Sequence, residues 1–306
     1  MRNCLVAQSG GPTVAINSSL AGVIQGAIDS KKFDKVYGSL NGVQGLLNGC
    51  LMDLTEKVEQ VPMFIELLKK SPSMYLGSCR YQLPDYTEDD APYAYIFNKF
   101  ETYEIDAFFY IGGNDSMDTI KKLSDYAILT GQSQKFVGVP KTIDNDLALT
   151  DHTPGYGSAA KYIATSTKEV IRDGIGFSYK KQQVIIIEIM GRNAGWLTGA
   201  AALSRGEDCD GPDLIYLPEL TFDIEKFTAK VRKLLVKKDV VVVAVSEGIR
   251  IQDGRYVSEL GSASDYVDAF GHKQLTGTAS YLANVIHRDI GCKTRAVEFS
   301  TLQRSA

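Results

Sequence analysis

Two polar stretches near the middle of the chain contain the side chains best suited to chemistry. The first reads YIGGNDSMDT from Tyr110, and the second reads PKTIDNDLALTD and ends at Asp151. Each follows an apolar run typical of a β-strand, so both should lie at the carboxyl ends of strands in an α/β sheet. Open sheets bind their ligands at that edge. The two stretches therefore predict a ligand site.

The residue types in these stretches suit phosphoryl transfer to a hydroxyl group. Gly113 lets the backbone approach a phosphate closely, and Lys141 supplies a fixed positive charge. Of the paired carboxylates Asp144 and Asp146, one can take the proton from an attacking hydroxyl while the other faces a metal or orients a neighbour. The alternative is two ordinary acidic turns, since Asp and Asn are favoured turn residues.

A metal ion at this site should be Mg²⁺ held by oxygen. Asn114, Asp115 and Asp146 offer the hard oxygen ligands that Mg²⁺ prefers. The five cysteines lack any CxxC spacing and the three histidines are dispersed, so the sequence predicts neither a zinc site nor a disulfide framework.

Composition is that of an ordinary globular protein. The 306 residues are 44% hydrophobic and 23% charged, which is enough for two packed cores. The net charge of −4 comes without a basic block, so we expect neither nucleic acid nor a membrane surface as partner. The N-terminus enters a strand pattern directly and no apolar run reaches membrane-spanning length, so we expect a cytoplasmic protein.

Strand-like and helix-like segments alternate along the whole chain. The run VIIIEIM at 184–190 is so uniformly apolar that it predicts a strand buried on both faces, as parallel sheets require. The alternation predicts an α/β protein of two doubly wound α/β/α domains with mostly parallel sheets and a cleft between them. We place the domains at 1–147 and 148–306, with part of 255–290 completing the first.

Several connecting segments are predicted from glycine content or periodicity alone. Four glycines between 38 and 49 indicate a loop, and 61–70 and 194–205 each indicate a continuous helix. The polar region 249–271 indicates a loop or short hairpin. At 77–84, GSCRYQLP predicts a loop that carries Arg80, whose guanidinium is well suited to gripping phosphate.

Seven motifs together resemble the phosphofructokinase family in order and approximate spacing. They span essentially the whole chain, and so many separated glycine- and aspartate-centred signatures rarely coincide by chance. The motifs are SGGPT at 9–13, GSCR at 77–80, IGGNDS at 111–116, PKTIDND at 140–146, MGRNAGW at 190–196, SEG at 246–248 and LQR at 302–304.

The resemblance implies a function and residue roles. Proteins similar to this one phosphorylate fructose 6-phosphate at its 1-hydroxyl between two Rossmann-like domains, and Asp144 matches the general base. Gly11 matches a residue that meets the phosphoryl donor, and we expect Arg80 and Gly113 to bind the donor as well. The positions expected to contact the sugar phosphate are Thr142, Ile143, Asp144, Met190, Gly191, Arg192, Glu247 and Arg304.

Asp115 and Lys141 favour pyrophosphate over ATP as the donor. ATP-dependent members resemble GGDG and PGTIDND, whereas pyrophosphate-dependent members place an acid and a lysine at these two positions. A carboxylate about 4 Å from the α-phosphate of ATP repels it by roughly 1 kcal/mol in water and about 4 kcal/mol at intermediate dielectric. Lys141 can stabilise charge on the leaving phosphate. An ATP-dependent kinase and a non-catalytic regulatory subunit are the alternatives.

Two departures from the family pattern bear on assembly. Family members are dimers or tetramers, so we expect a homodimer or homotetramer. Gln183 stands where the family commonly has an arginine that reaches a neighbouring subunit, which puts that contact in doubt. The chain also ends soon after LQR, before further substrate-binding basic residues of the family, so we expect a truncated C-terminal end.

Overall fold

The computed structural model of the protein describes residues 2–177, 181–261 and 277–305. These residues form two compact α/β units, and the chain passes from unit 1 to unit 2 between Thr142 and Ile143. This division lies a few residues before the expected boundary at 147. Residues 255–261 and 277–290 belong to unit 2, and 262–276 lie outside the described residues.

Unit 1 contains a five-stranded sheet in the order β3-β2-β1-β4-β5. All neighbouring strands are parallel except β2 and β3. The strands are β1 (Arg2–Gln8), β2 (Phe33–Ser39), β3 (Leu51–Asp53), β4 (Ile105–Gly112) and β5 (Lys135–Pro140). The helices are α1 (Ile16–Ser30), α2 (Gly42–Leu47), α3 (Leu54–Gln60), α4 (Phe64–Lys70), α5 (Ala91–Thr102) and α6 (Asn114–Thr130).

Helices cover both faces of the unit 1 sheet, because alternate residues of its central strand belong to different cores. Leu5 and Ala7 of β1 pack in an aromatic-rich cluster that includes Phe108. Cys4 and Val6 pack on the opposite face, among residues of α1 and α4. Side chains alternate between the faces of a strand, so β1 is apolar at every one of these positions.

Unit 2 contains a four-stranded parallel sheet in the order β7-β8-β6-β9. Its central strands β6 and β8 are buried along their entire length. The strands are β6 (Gln183–Ile189), β7 (Leu214–Tyr216), β8 (Val240–Ser246) and β9 (Lys293–Glu298). The α-helices are α7 (Tyr156–Phe177), α8 (Trp196–Ala200), α9 (Ile224–Leu235), α10 (Thr278–Ile290) and α11 (Leu302–Ser305), with 3₁₀ turns at Ala201–Ser204 and Val257–Leu260.

The predicted α/β class with mostly parallel sheets is confirmed, but several connections differ from expectation. The expected glycine loop is wrong, because Gly38 lies in β2 and both Gly42 and Gly45 lie in α2. A Cβ atom on Gly45 would lie only 1.6 Å from the Leu40 carbonyl oxygen, so glycine here allows α2 to pack closely on backbone. The short antiparallel strand β3 was not predicted.

Two expected helices are shorter than periodicity suggested. The helix expected at 61–70 begins only at Phe64, because Met63 has a left-handed φ of 60° and α3 has already ended at Gln60. The helix expected at 194–205 is α8 followed by the 3₁₀ turn Ala201–Ser204. Within the described ranges, no helix is long and apolar enough to cross a bilayer. The cytoplasmic location stays a prediction.

Candidate active site

The carboxyl ends of β1, β4 and β5 meet at one place in unit 1. The chain turns after β1 at Gly10, whose φ is +83°, and the Ser9 amide donates to the Ile111 carbonyl oxygen at 2.9 Å. A Cβ atom on Gly10 would lie 3.4 Å from Lys141 Nζ and 3.9 Å from the Gly113 amide nitrogen. A glycine loop, a lysine ammonium and a backbone amide therefore surround one point, as a phosphate site requires.

The GSCR loop is fastened to this glycine loop by side-chain hydrogen bonds. Ser78 Oγ donates to the Gly10 carbonyl oxygen at 2.7 Å, and Ser9 Oγ donates to the Cys79 carbonyl oxygen at 3.2 Å. These contacts bring Arg80, which is exposed, to the same end of unit 1. The loops that bear the predicted donor residues Gly11, Arg80 and Gly113 thus lie at the same end of unit 1 as Lys141.

The first turn of α6 follows Gly113 in the chain. The first two residues of this helix, Asn114 and Asp115, are exposed. A carboxylate in the first turn is favoured by the positive end of the helix dipole. Lys141 is only 8% exposed, so its ammonium is poorly screened and attracts an anion more strongly than a surface lysine does.

In unit 2, the loop that bears Asp144 is shaped by Asn145. Asn145 has a left-handed φ of 56°, and its side chain donates to the Asp151 carbonyl oxygen and accepts from the Thr153 amide. Its buried amide fixes the loop, with Asp144 half-buried on one side and Asp146 exposed on the other. The paired carboxylates therefore lie in different environments.

Asp144 lies close enough to Glu247 to perturb it. Burial and the charge of Asp144 together raise the pKa of Glu247 to about 8, against the opposing effects of the Gly191 amide and Arg192. The Gly191 amide donates to Glu247 Oε1 at 3.4 Å. The structure thus brings together four of the predicted sugar-phosphate residues.

Ser246 links the ends of β6 and β8 in unit 2. Ser246 Oγ donates to the Gly191 carbonyl oxygen at 2.6 Å and accepts from the Gly248 amide at 3.0 Å. A Cβ atom on Gly248 would lie 2.0 Å from the Arg192 carbonyl oxygen, so only glycine fits there. Ser246 lies inside the SEG motif, but no sequence signal indicates that its hydroxyl joins two strands.

Gln303 is a second residue that sequence reasoning missed. It is 1% exposed, and its Oε1 accepts from the Met190 amide at 3.0 Å. The neighbouring Arg304 is half-buried in α11. The LQR motif therefore contributes Gln303, which supports the MGR segment, in addition to Arg304, which was predicted to contact the sugar phosphate.

The remaining predicted residues are placed as follows. Thr142 is half-buried at the end of unit 1. Ile143 is 4% exposed and packs in a core of unit 2 with Ile163, so its side chain serves the core. Gln183 is 2% exposed at the start of β6. No group of three or more His, Cys, Asp or Glu side chains that could hold a metal occurs in the part of the chain that the structure describes.

Comparison with known proteins identifies the family. A sequence profile described as phosphofructokinase matches residues 3–306. The chain belongs to the phosphofructokinase family. The resemblance inferred from the seven motifs is thereby confirmed.

Named relatives extend this comparison. A pyrophosphate–fructose 6-phosphate 1-phosphotransferase of Xanthomonas campestris pv. campestris (strain B100) is 42% identical over 304 residues, which cover 99% of this phosphofructokinase and 71% of the relative. A sulfofructose kinase of Alkalicoccus urumqiensis is 32% identical over 299 residues, covering 98% and 73%. The crystal structure of a pyrophosphate-dependent phosphofructokinase from Nitrosospira multiformis matches with a TM-score of 0.84 and 36% identity, covering 100% of this chain and 70% of that one.

Proposed function

We propose that this phosphofructokinase transfers a phosphoryl group from pyrophosphate to the 1-hydroxyl of fructose 6-phosphate, giving fructose 1,6-bisphosphate and phosphate, reversibly. Two placements carry the proposal: Lys141 lies beside Gly10, and Asp115 lies in the first turn of α6. The relative named for this reaction is 42% identical over 99% of the chain.

Lys141 and Asp115 favour pyrophosphate as the donor in different ways. The largely desolvated ammonium of Lys141 stabilises negative charge that builds on the leaving phosphate. Asp115 repels the additional α-phosphate of ATP, by up to about 4 kcal/mol at intermediate dielectric. At about 1.4 kcal/mol per tenfold change, this corresponds to roughly a thousandfold preference against ATP.

Asp144 is the general base for the acceptor. Its carboxylate takes the proton of the 1-hydroxyl, and the oxygen forms a bond to the nearer phosphorus of pyrophosphate. The bond between that phosphorus and the bridging oxygen breaks, and its electron pair stays with the leaving phosphate. Arg192 holds the 6-phosphate through charge-assisted hydrogen bonds, with Arg304 as a second cation.

Glu247 binds sugar hydroxyls in its protonated form. Since burial and the charge of Asp144 raise the pKa of Glu247 to about 8, this carboxyl is mostly neutral at neutral pH and can donate a hydrogen bond. Its protonation also removes a negative charge beside Asp144, the proposed general base.

The residues of the first turn of α6 fit Mg²⁺ when the substrate supplies further ligands. Asn114 and Asp115 are exposed and oxygen-bearing, and Mg²⁺ usually binds through one or two carboxylates together with water and substrate phosphates. Asp146 is the other candidate ligand. Mg²⁺, when bound, neutralises charge on the pyrophosphate oxygens.

The functional molecule is proposed to be a homodimer or homotetramer. The strand β9 is an edge of the unit 2 sheet as described, and exposed strand edges favour association. Sedimentation velocity at micromolar concentration should give a dimer or larger species, and a clean monomer would contradict this part of the proposal.

A coupled assay tests the function. Purified protein with Mg²⁺ and fructose 6-phosphate is given pyrophosphate or ATP, and fructose 1,6-bisphosphate is measured in each case. Turnover should be at least about a hundredfold greater with pyrophosphate, allowing for partial screening of the repulsion. Equal or greater turnover with ATP would overturn the donor assignment, and greater turnover with sulfofructose as acceptor would overturn the sugar assignment.

A further inference from the structure

Glu188 is the one acidic residue within the apolar strand β6, whose sequence is QVIIIEI. It is 5% exposed. Burial raises the pKa of Glu188 to about 7, with Glu298 of β9 adding to the shift and the Ala279 amide opposing it. A buried carboxyl costs free energy that isoleucine or valine at this position would not. Its presence therefore calls for an explanation beyond packing.

The Glu188 carboxyl caps a helix from another element. Its Oε2 accepts from the Ala279 amide at 2.8 Å, in the first turn of α10. Gly277, which precedes this helix with a φ of +95°, has no side chain to provide a cap. Free amides at a helix N-terminus require acceptors, and a carboxylate there is further favoured by the helix dipole. Glu188 supplies that acceptor from β6.

The same turn of α10 contacts the segment that bears Glu247. Thr278 is fully buried, and its Oγ1 donates to the Glu247 carbonyl oxygen at 3.4 Å. The Glu247 amide in turn donates to the Ile189 carbonyl oxygen at 2.9 Å. Hydrogen bonds therefore connect Glu188 to the first turn of α10, and that turn to Glu247. Glu247 is in turn bonded to Ile189, the residue after Glu188 in β6.

We propose that Glu188 is a positioning residue of the sugar-phosphate site: its carboxyl holds the first turn of α10 against the strand ends that present Glu247. The inference rests on the proposed function, because it assigns Glu188 a part in binding the sugar of that reaction. Glu188 does not contact the reacting atoms, and it acts through Thr278 and Ala279.

Kinetics of two substitutions at this position test the proposal. Glu188→Gln keeps an oxygen acceptor for the Ala279 amide, so KM for fructose 6-phosphate and kcat should stay within about threefold of wild type, a difference below 1 kcal/mol. Glu188→Ala removes the acceptor. It should raise KM for fructose 6-phosphate at least about tenfold, while KM for pyrophosphate changes by less than about threefold.

Asp223→Ala is the matched control, because Asp223 Oδ1 accepts from the Lys226 amide in the first turn of α9 and has no assigned role in the site. Its melting temperature should fall while both KM values remain unchanged. Thr278→Val, which keeps side-chain volume and removes the hydrogen bond to Glu247, provides a second test should Glu188→Ala fail to fold. It should raise KM for fructose 6-phosphate selectively.

Three results would overturn the inference: Glu188→Gln as impaired as a folded Glu188→Ala, equal increases in both KM values, or unchanged kinetics in Thr278→Val. The failure of the proposed function is distinguishable from these. It would appear as a wild-type protein that does not convert fructose 6-phosphate with either donor, and it would remove both proposals together.

Discussion

The two carboxyls of the proposed sugar site, Glu247 and Asp144, lie in different surroundings. Glu247 is half-buried, and burial together with the charges of Asp144 and Glu188 raises its pKa to about 8. Asp144 lies half-buried on a loop whose conformation is fixed by the buried Asn145.

Asp144→Asn should lower kcat by about 10²–10⁴, which is the usual contribution of a positioned general base. The amide is nearly isosteric, so KM for fructose 6-phosphate should change little. Steady-state kinetics with pyrophosphate measure both constants. Asp151→Asn, an exposed residue of the same loop, is the control and should keep wild-type kcat. A mutant at 144 that keeps most of its turnover would remove Asp144 from this role.

Donor choice should depend on Asp115 and Lys141 together. Asp115→Gly should relieve repulsion of the α-phosphate and allow weak turnover with ATP. Lys141→Gly should lower pyrophosphate-dependent kcat by about 10²–10³, the loss expected when one preorganised electrostatic contact is removed, without making ATP a good donor.

The double variant tests whether these residues share one phosphate site. Its effect on donor preference should differ from the sum of the single effects, because groups that contact the same ligand do not act independently. Assays of all four proteins with both donors give the coupling. An Asp115→Gly protein with unchanged donor preference would show that the carboxylate does not select the donor.

At the scale of elements, the predictions succeeded where one local signal decides the structure. The strand β6 was recognised because a strand buried on both faces is apolar at nearly every position. Glycines were misread, because Gly45 permits a helix to pack closely on the Leu40 backbone rather than opening a loop. Such a contact depends on tertiary structure that composition does not reveal.

The site shows the same limit. Its motifs indicated which residue types gather at strand ends, and the structure places Gly113 with Lys141 and Asp144 with Glu247. The supporting residue Gln303 could not be inferred, because its contact with Met190 spans 113 positions in the chain. Contacts between distant segments need a structure.

Ser246→Ala tests the link between the ends of β6 and β8. The substitution leaves the Gly191 carbonyl and the Gly248 amide without the Ser246 hydroxyl, which should cost about 1–3 kcal/mol of unfolding free energy. KM for fructose 6-phosphate should also rise, since Gly191 is part of the proposed sugar site. Denaturant unfolding and saturation kinetics measure the two effects.

Ser204→Ala is the matched control for this change. Ser204 is also buried and donates to a backbone carbonyl, that of Ala201, at 2.7 Å, but it belongs to no part of the proposed site. Its loss should lower stability without changing KM. Equal effects of the two substitutions on KM would show that the Ser246 hydroxyl serves stability alone.

At the scale of the whole molecule, two classes of carboxyl give opposite responses to pH. Acids paired with cations or helix amides, such as the half-buried Asp53 and the exposed Asp223, have pKa values below their ordinary range. They stabilise the fold above their unfolded pKa, and this contribution is lost in acid. The buried Glu188 and the half-buried Glu247 have raised pKa values, about 7 and about 8, and they act in the other direction.

Stability should therefore fall as pH rises from about 5.5 to about 8.5. Glu188 and Glu247 bind a proton more tightly in the folded protein than in the unfolded chain, where both titrate near 4.5. Their contribution is complete below that value and is lost as pH rises through about 7 and about 8, with a slope of up to about 1.4 kcal/mol per pH unit for each group. Urea unfolding across this range measures the slope. Glu247→Gln should reduce this slope by the contribution of one titrating group. Asp223→Asn should leave the slope unchanged, because Asp223 is ionised in both states throughout this pH range. A wild-type protein whose stability rises across this interval would show that Glu188 and Glu247 are ionised in the folded state.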